Sequence, residues 1–179
     1  MEKSKLKILI VGHGRSGKDE AAQFMQEHLG FRYGGSTSWA ALPLMAEHLG
    51  LHPMHAWEQR HALRQLWRNQ CDVFRKQDPC LLIRRALSND ANVITGVRGL
   101  PEIEAATAEG LFTHIVWINR PGTPVDPTLD FGSERANVVI LNDGTLEEFH
   151  YQLTTWAQSV APISYNKYVT RLLDTYGAN

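Results

Sequence analysis

Short apolar runs alternate with longer amphipathic segments along the whole chain. Five runs are typical of strands buried in a parallel sheet, whose two faces are both covered. These runs lie at 7–11, 31–33, 92–95, 112–118 and 138–141. Helical spacing of apolar residues predicts the helices, which lie at 17–29, 36–49, 54–76, 78–87, 102–109, 144–156 and 165–176. The alternation predicts an α/β fold, with about five parallel strands and helices on both faces of the sheet.

Composition narrows the function classes without naming one. The chain has 179 residues, which suits a single domain. Eighteen Lys and Arg residues face nineteen Asp and Glu residues, so bulk positive charge is not expected to hold DNA. The apolar runs are too short to cross a membrane, and we expect no membrane partner. Two cysteines make no disulfide framework, which favours a reducing cytoplasm.

The segment 12–19 has the pattern G-x-x-x-x-G-K and lies between the first predicted strand and the first predicted helix. In that context the pattern forms a phosphate-binding loop. Glycines let backbone N–H groups surround phosphate oxygens, and the following helix directs its positive end at the same place. Lys18 can reach the β- and γ-phosphates of a nucleotide. The predicted binding residues are Gly12, His13, Gly14, Arg15, Ser16, Gly17, Lys18 and Asp19.

Asp19 stands where Ser or Thr usually holds Mg²⁺ in such loops. A carboxylate beside a triphosphate is repelled unless a cation lies between them, so we expect Asp19 to contact Mg²⁺ directly or through water. An acid favoured by the helix dipole is the structural alternative. The strand candidate at 92–95 ends without a second acid, and Asp143 lies in an Asn-Asp-Gly sequence typical of a turn.

Positive charge is concentrated between residues 57 and 85, where seven Lys or Arg residues face three acids. Arg60, Arg64 and Arg68 recur every four residues, so one continuous helix would place them on the same face. Such arginines could hold the phosphate of an acceptor nucleotide or follow a nucleic-acid backbone. A solvated helix face is the structural alternative.

Two arginines follow strands whose carboxyl ends should form the ligand-binding edge of the sheet. Arg98 lies just past the third strand and is a candidate phosphate or acceptor contact. Arg120 opens a Pro- and Gly-containing loop that could close over phosphates, and Arg135 lies just beyond that loop. Both are candidates to stabilise transferred charge. Asp130 and Glu134 could supply an acid or metal contact, although surface acids are commoner.

Several motifs follow one another in an order similar to that of one kinase family. They are the loop 12–19, the segment 74–79, Val-Arg at 97–98 followed by Pro-Glu at 101–102, and the segments 119–122, 132–134 and 141–148. Over about residues 5–155 the chain resembles the bacteriophage deoxynucleoside monophosphate kinases, a branch of the P-loop nucleotide kinases. The resemblance implies a three-layer P-loop kinase fold. It also implies transfer of the γ-phosphoryl group from ATP, with Mg²⁺, to a deoxynucleoside monophosphate (dNMP).

The resemblance implies roles for two of the candidate residues, since Lys18 would be the phosphate-binding lysine and Arg98 would match an arginine after the third strand. The candidates from spacing and position complete the expected site. Lys18, Arg98 and Arg120 are the expected catalytic residues. Acceptor binding is expected from Arg60, Arg64, Arg68, Arg75, Asp78 and Arg98. The expected organisation is a single kinase domain over 1–179, with a helical acceptor-binding insert at about 36–90, a lid-like loop at about 120–134 and a C-terminal tail at about 160–179. A homodimer is a further possibility.

The chain departs from many of these kinases at three places. Gly96 stands where Asp is frequent, Glu20 replaces the Thr that often follows Asp19, and Gly-Leu at 99–100 replaces an aromatic-Pro pair. These differences bear on metal binding and on the acceptor. Phage P-loop kinases that phosphorylate 5-hydroxymethyldeoxyuridine within DNA are broadly similar, so DNA is the alternative acceptor. A nucleotide-binding module without turnover is a second alternative.

Overall fold

Five parallel strands form one sheet, in the order β2-β3-β1-β4-β5. The structure, a computed structural model, describes residues 5–177. The strands are β1 (Ile8–Val11), β2 (Tyr33–Ser36), β3 (Val93–Thr95), β4 (His114–Asn119) and β5 (Val138–Leu141). The predicted α/β class and the all-parallel sheet of five strands are therefore confirmed.

Helices connect the strands and cover both faces of the sheet. They are α1 (Lys18–Leu29), α2 (Thr37–Ala40), α3 (Leu42–Leu49), α4 (Pro53–Gln59), α5 (Arg64–Gln77), α6 (Leu81–Ala86), α7 (Leu100–Ala108), α8 (Leu146–Val160) and α9 (Lys167–Tyr176). A 3₁₀ turn at Ser133–Arg135 precedes β5. Within residues 5–177, none of the helices is long and apolar enough to span a membrane.

Alternation along β1 builds the three layers. Ile8 and Ile10 pack into a core shared with α1, α8 and α9, whereas Leu9 and Val11 pack into a core shared with α6 and α7. Successive side chains of a strand point to opposite faces, so these fully apolar residues bury both sides of the sheet. The outcome is the predicted three-layer arrangement.

The segment between β2 and β3 contains five helices and a small core of its own. Met45 of α3, Trp67 and Cys71 of α5, and Leu82 of α6 are buried together there. This helical unit lies within the segment 36–90, which the sequence analysis predicted to be an acceptor-binding insert.

The predicted continuous helix over 54–76 is wrong, because the chain breaks between α4 and α5. Ten residues separate Trp57 from Trp67, so a straight helix would place them about 15 Å apart along its axis. In the structure their ring centroids lie 6.0 Å apart. The break lets both indoles reach one core, and it puts Arg60 at the end of α4 rather than on α5 with Arg64 and Arg68. The expected common face of three arginines is therefore reduced to two.

A buried histidine of α8, His150, joins this helix to α1 and α9. The ring of His150 stacks on Phe24 at a centroid distance of 4.0 Å. Its Nε2 lies 2.9 Å from Glu20 Oε1, and its Nδ1 lies 2.7 Å from the Tyr168 hydroxyl. Burial lowers the pKa of His150, and the nearby Glu20 carboxylate only partly opposes that shift. The folded protein therefore resists protonating this ring.

We expect this histidine to make the protein less stable at mildly acidic pH. An unfolded histidine gains a proton below about pH 6.5, whereas folded His150 resists it, so its stabilisation is complete above that pH and is lost as the pH falls. The urea midpoint should decrease between pH 7.5 and pH 5.5. In His150→Gln this decrease should be smaller, whatever the starting stability. An unchanged pH slope in the variant would contradict the expectation. His114→Gln is measured for comparison. Burial also lowers the pKa of His114, so the midpoint of this variant should likewise decrease less as the pH falls.

Candidate functional site

The segment 12–17 leaves the carboxyl end of β1, the central strand, and leads directly into α1. The neighbouring strand β3 continues into α7 on the opposite face of the sheet. Adjacent parallel strands whose connections leave on opposite faces open a crevice at their carboxyl ends, where ligands bind in open α/β sheets. The glycine-rich segment therefore lies where the topology creates a binding crevice.

Two glycines allow the backbone of this segment to pack closely against neighbouring residues. Gly12 has a φ of +150°, and a Cβ there would lie 2.6 Å from the backbone oxygen of Ile118. Gly17, at a φ of +101°, would place a Cβ 2.5 Å from the side-chain nitrogen of Asn142. That same nitrogen donates to the Ser16 carbonyl at 2.8 Å. The backbone thus packs against β4 and the end of β5 at distances that only glycine permits.

Several polar groups at the start of α1 suit a polyphosphate. Ser16 is buried, and its Oγ has no hydrogen-bond partner among residues 5–177. Gly17, the N-cap of α1, supplies no side-chain cap, so the first amides of the helix are available to an anion. The Lys18 side chain is 14% exposed, and its ammonium group lies 3.8 Å from the Asp19 carboxylate. An unpartnered buried hydroxyl, a helix N-terminus and a cation therefore converge, which fits the phosphates of ATP.

Asp19 follows Lys18 in the first turn of α1, and its side chain is 69% exposed. Residues 5–177 contain no group of three or more His, Cys, Asp or Glu side chains able to hold a metal ion. Mg²⁺ in phosphoryl-transfer sites is commonly held by one or two carboxylates together with substrate phosphates. A single Asp19 fits that mode of binding, in which nucleotide phosphates and water would supply the remaining ligands.

The end of β3 leaves little room for an acidic side chain at position 96. A Cβ on Gly96 would lie 3.0 Å from the Cβ of Ser36 and 3.1 Å from the backbone nitrogen of Thr37. The Thr37 hydroxyl also donates to the Gly96 carbonyl at 2.7 Å. The contacts with the start of α2 and the φ of +89° at Gly96 therefore both disfavour an acidic side chain at this position.

The predicted lid-like loop packs onto both sides of the crevice. The Arg98 guanidinium donates through Nη1 to Asp126 Oδ2 at 2.7 Å and to the Thr128 hydroxyl. The backbone nitrogen of Asp126 donates to His13 Nδ1 at 3.3 Å. Burial alone would raise the pKa of Asp126, but hydrogen bonds from Thr128 and Arg98 outweigh it and lower this pKa to about 2. Asp126 therefore joins Arg98, which binds its charged carboxylate, to the glycine-rich segment, which accepts from its backbone nitrogen.

The two acids that the sequence singled out in this region bind backbone groups instead. Asp130 accepts a hydrogen bond from the backbone nitrogen of Leu100, at the start of α7. Glu134 accepts one from the backbone nitrogen of Gly132 at 2.8 Å. These contacts give both acids a structural role at a turn or a helix start, and Asp126 is the acid of the loop that reaches the crevice.

Arg75, one of the expected acceptor contacts, is engaged inside the protein. Its Nε lies 3.0 Å from Glu102 Oε1, and its Nη1 lies 2.9 Å from Asp72 Oδ1. The Glu102 side chain is only 2% exposed and also accepts a hydrogen bond from the backbone nitrogen of Gly99 at 3.0 Å. Arg75 thus neutralises a buried carboxylate that binds the backbone next to Arg98.

We expect Arg75→Ala to destabilise the fold by about 3 kcal/mol, because it leaves Glu102 buried without its cation. Exposed Arg68 provides the matched control, since it makes no ion pair within residues 5–177. Arg68→Ala should change stability by less than about 0.5 kcal/mol. Urea unfolding of both variants measures the difference. Equal effects would contradict a structural role for Arg75.

The other expected acceptor residues do not meet at one point. The Arg60 guanidinium lies 3.9 Å above the ring of Trp57. Arg64 and Arg68 are exposed on α5, without an ion pair within the described residues. Asp78 pairs with Arg84 at 2.5 Å, and this hydrogen bond lowers the pKa of Asp78. Arg120 is exposed at the end of β4. Among these arginines and Arg98, only Arg98 has a described contact that leads, through Asp126, to the glycine-rich segment.

Two residues of the site were missed in the sequence. Asn142 was interpreted as part of a turn, although its side chain fixes the Ser16 carbonyl. Asp126 was not singled out within its loop. Its Asp-Pro-Thr sequence is typical of a turn in which the Asp side chain accepts from the Thr backbone nitrogen, and this bond is present at 3.0 Å. That local signal could have identified an ordered carboxylate, but not its contact with Arg98.

Comparison with known proteins adds no family assignment, since no protein-family model matches the chain and no curated protein shows significant similarity to it.

Proposed function

We propose that this protein is an ATP-dependent phosphotransferase that moves the γ-phosphoryl group to a dNMP. The observation that carries the proposal is the glycine-rich segment, which ends in Lys18 and lies at the crevice between the carboxyl ends of β1 and β3. Asp126 joins Arg98 to this segment. A donor phosphate at α1 and an acceptor phosphate at Arg98 would then occupy the same crevice. The resemblance to phage dNMP kinases supports the same assignment.

The proposed reaction needs no covalent enzyme intermediate. An oxygen of the acceptor phosphate attacks the γ-phosphorus of ATP, and the bond from that phosphorus to the β–γ bridging oxygen breaks. The products are ADP and a deoxynucleoside diphosphate (dNDP). Such transfers depend mainly on positioning and on neutralising charge.

The residues divide these tasks between donor and acceptor. Amides at the start of α1 and the Ser16 hydroxyl would bind donor phosphates, and the Lys18 ammonium would offset charge that moves toward the leaving oxygen. Asp19 would hold Mg²⁺, which supplies further neutralisation of the phosphates when bound. Arg98 would bind the acceptor phosphate, and exposed Arg120 lies at the start of the loop that borders the crevice.

An assay of ADP release tests the proposal. The wild-type protein is incubated with ATP, Mg²⁺ and each of the four dNMPs in turn, and we expect release that depends on at least one of them. No acceptor-dependent release with any of the four would overturn the proposal. Tight ATP binding in that case would favour the nucleotide-binding module without turnover.

One observation favours DNA as the alternative acceptor. Arg64 and Arg68 lie one turn apart on α5 and are exposed, and no acid pairs with them within residues 5–177. Exposed cations of this kind can follow a phosphate backbone, which makes binding sensitive to salt. Incubation with γ-labelled ATP and duplex DNA containing 5-hydroxymethyldeoxyuridine tests this alternative at low salt. Absence of label in the DNA would exclude it.

A further inference from the structure

One end of the Arg98 guanidinium is occupied, and the other is open. Both described contacts of the guanidinium use Nη1, which donates to Asp126 Oδ2 at 2.7 Å and to the Thr128 hydroxyl. Within residues 5–177, neither Nε nor Nη2 of Arg98 makes a hydrogen bond or an ion pair. The side chain is 39% exposed. Nε and Nη2 together form a fork that matches two oxygens of one phosphate group.

Asp126 is itself held firmly. Its Oδ1 accepts from the Thr128 backbone nitrogen at 3.0 Å and from the Thr128 hydroxyl at 2.6 Å, and its side chain is only 15% exposed. The backbone nitrogen of Asp126 reaches His13. Four residues further on, the backbone nitrogen of Asp130 donates to the Arg98 carbonyl at 3.2 Å. The loop therefore fixes both the backbone and the side chain of Arg98.

The Asp126 carboxylate lies between the glycine-rich segment and Arg98. A Cβ on Gly14 would lie 3.7 Å from Asp126 Oδ2, so this oxygen borders the phosphate-binding segment. The same oxygen binds Arg98, at the end of β3. The Asp126 carboxylate thus lies between the places expected for the donor and acceptor phosphates.

We propose that Asp126 is a positioning residue, which holds Arg98 so that its free Nε–Nη2 edge binds a phosphate monoester beside the donor loop. The inference rests on the proposed function and specifies the group that Arg98 recognises. A phosphate monoester offers two oxygens to this edge, whereas a hydroxyl acceptor offers only one. Arg98 therefore selects for acceptors that already carry a phosphate.

A double-mutant cycle tests the inference. Asp126→Asn keeps the shape of the side chain but removes its charge, and Arg98→Ala removes the group on which it is proposed to act. We expect Asp126→Asn to weaken dNMP binding, and to raise the KM for the dNMP, by about tenfold. The KM for ATP should change by less than about twofold. In the Arg98→Ala background, Asp126→Asn should cause less than about a twofold further loss.

Two other variants separate positioning from loop packing. Glu134→Gln changes an exposed acid whose contact is the nearby Gly132 backbone, and it should leave dNMP binding unchanged. Thr128→Val removes the hydroxyl that touches both Arg98 and Asp126, and a threefold or greater loss is expected there even if Asp126→Asn folds poorly. Equal losses from Asp126→Asn with and without Arg98 would overturn the inference. Tighter dNMP binding by Asp126→Asn would also overturn it, because Asp126 would then compete with the phosphate.

The readouts distinguish this inference from the proposed function. Calorimetric titration with each of the four dNMPs measures binding without turnover. Binding that depends on Arg98 and Asp126, without phosphoryl transfer, would sustain the inference and overturn the proposed function. Phosphoryl transfer that is unaffected by Asp126→Asn would sustain the proposed function and overturn the inference. A wild-type protein that neither binds nor phosphorylates any dNMP would overturn both.

Discussion

Replacing Lys18 with alanine is expected to lower the phosphotransfer rate on the order of 10³-fold while the fold is retained. The only described polar contact of its ammonium group is Asp19, at 3.8 Å, so little folding stability depends on it. With ATP bound, removal of the cation leaves Asp19 facing the phosphates with less neutralisation. The loss corresponds to about 4 kcal/mol of transition-state stabilisation.

The Lys18 result needs a control for the loss of a positive charge. Lys167→Ala removes a lysine at the start of α9, in the C-terminal tail, and should leave the rate within about twofold of wild type. ADP release at saturating ATP and dNMP measures both variants, and circular dichroism confirms their folding. A Lys18→Ala rate within tenfold of wild type would contradict the proposed role of this lysine.

Gly12→Ala is expected to affect both stability and nucleotide binding. The new Cβ would lie 2.6 Å from the Ile118 carbonyl and 2.7 Å from Ser16 Oγ, at a φ of +150°. Backbone and loop must both shift to accept it, which should cost about 2–4 kcal/mol of folding free energy. The same shift displaces the Ser16 hydroxyl and the amides at the start of α1. We therefore expect ATP affinity to fall by about 100-fold.

Gly110→Ala is the matched substitution, because Gly110 has a φ of +64° and no atom within 4 Å of the added Cβ. It should cost only about 1 kcal/mol, through backbone strain alone, and leave ATP binding unchanged. Urea unfolding and calorimetric titration with ATP give the two measurements. If Gly12→Ala behaved like Gly110→Ala in both, the tight packing of the loop against β4 would not matter for binding.

The sheet could be predicted because its signal is local. Each strand is a short apolar run, and a parallel sheet covered on both faces requires such runs. The break between α4 and α5 could not be predicted in the same way. It depends on the packing of Trp57 against Trp67, which local spacing does not reveal. Helix boundaries in the segment 36–90 were therefore the least accurate part of the prediction.

In the candidate site, too, local features could be predicted and contacts between distant residues could not. The glycine-rich loop is contiguous in sequence, so its glycines and Lys18 were apparent from their spacing and context. Asp126 contacts Arg98 across 28 residues, and Asn142 contacts Ser16 across 126 residues. Contacts over such distances depend on the path of the chain. The pairing of Arg75 with Glu102 was missed for the same reason, because Glu102 belongs to another helix.

The most direct measurement of the proposed activity follows the phosphoryl group itself. The protein is incubated with γ-³²P-labelled ATP, Mg²⁺ and an equimolar mixture of the four dNMPs, and the products are separated by thin-layer chromatography. We expect label in at least one dNDP with wild type and much less with Lys18→Ala. Label that remains in ATP, or that appears only as inorganic phosphate, would contradict the assignment of this protein as a dNMP kinase.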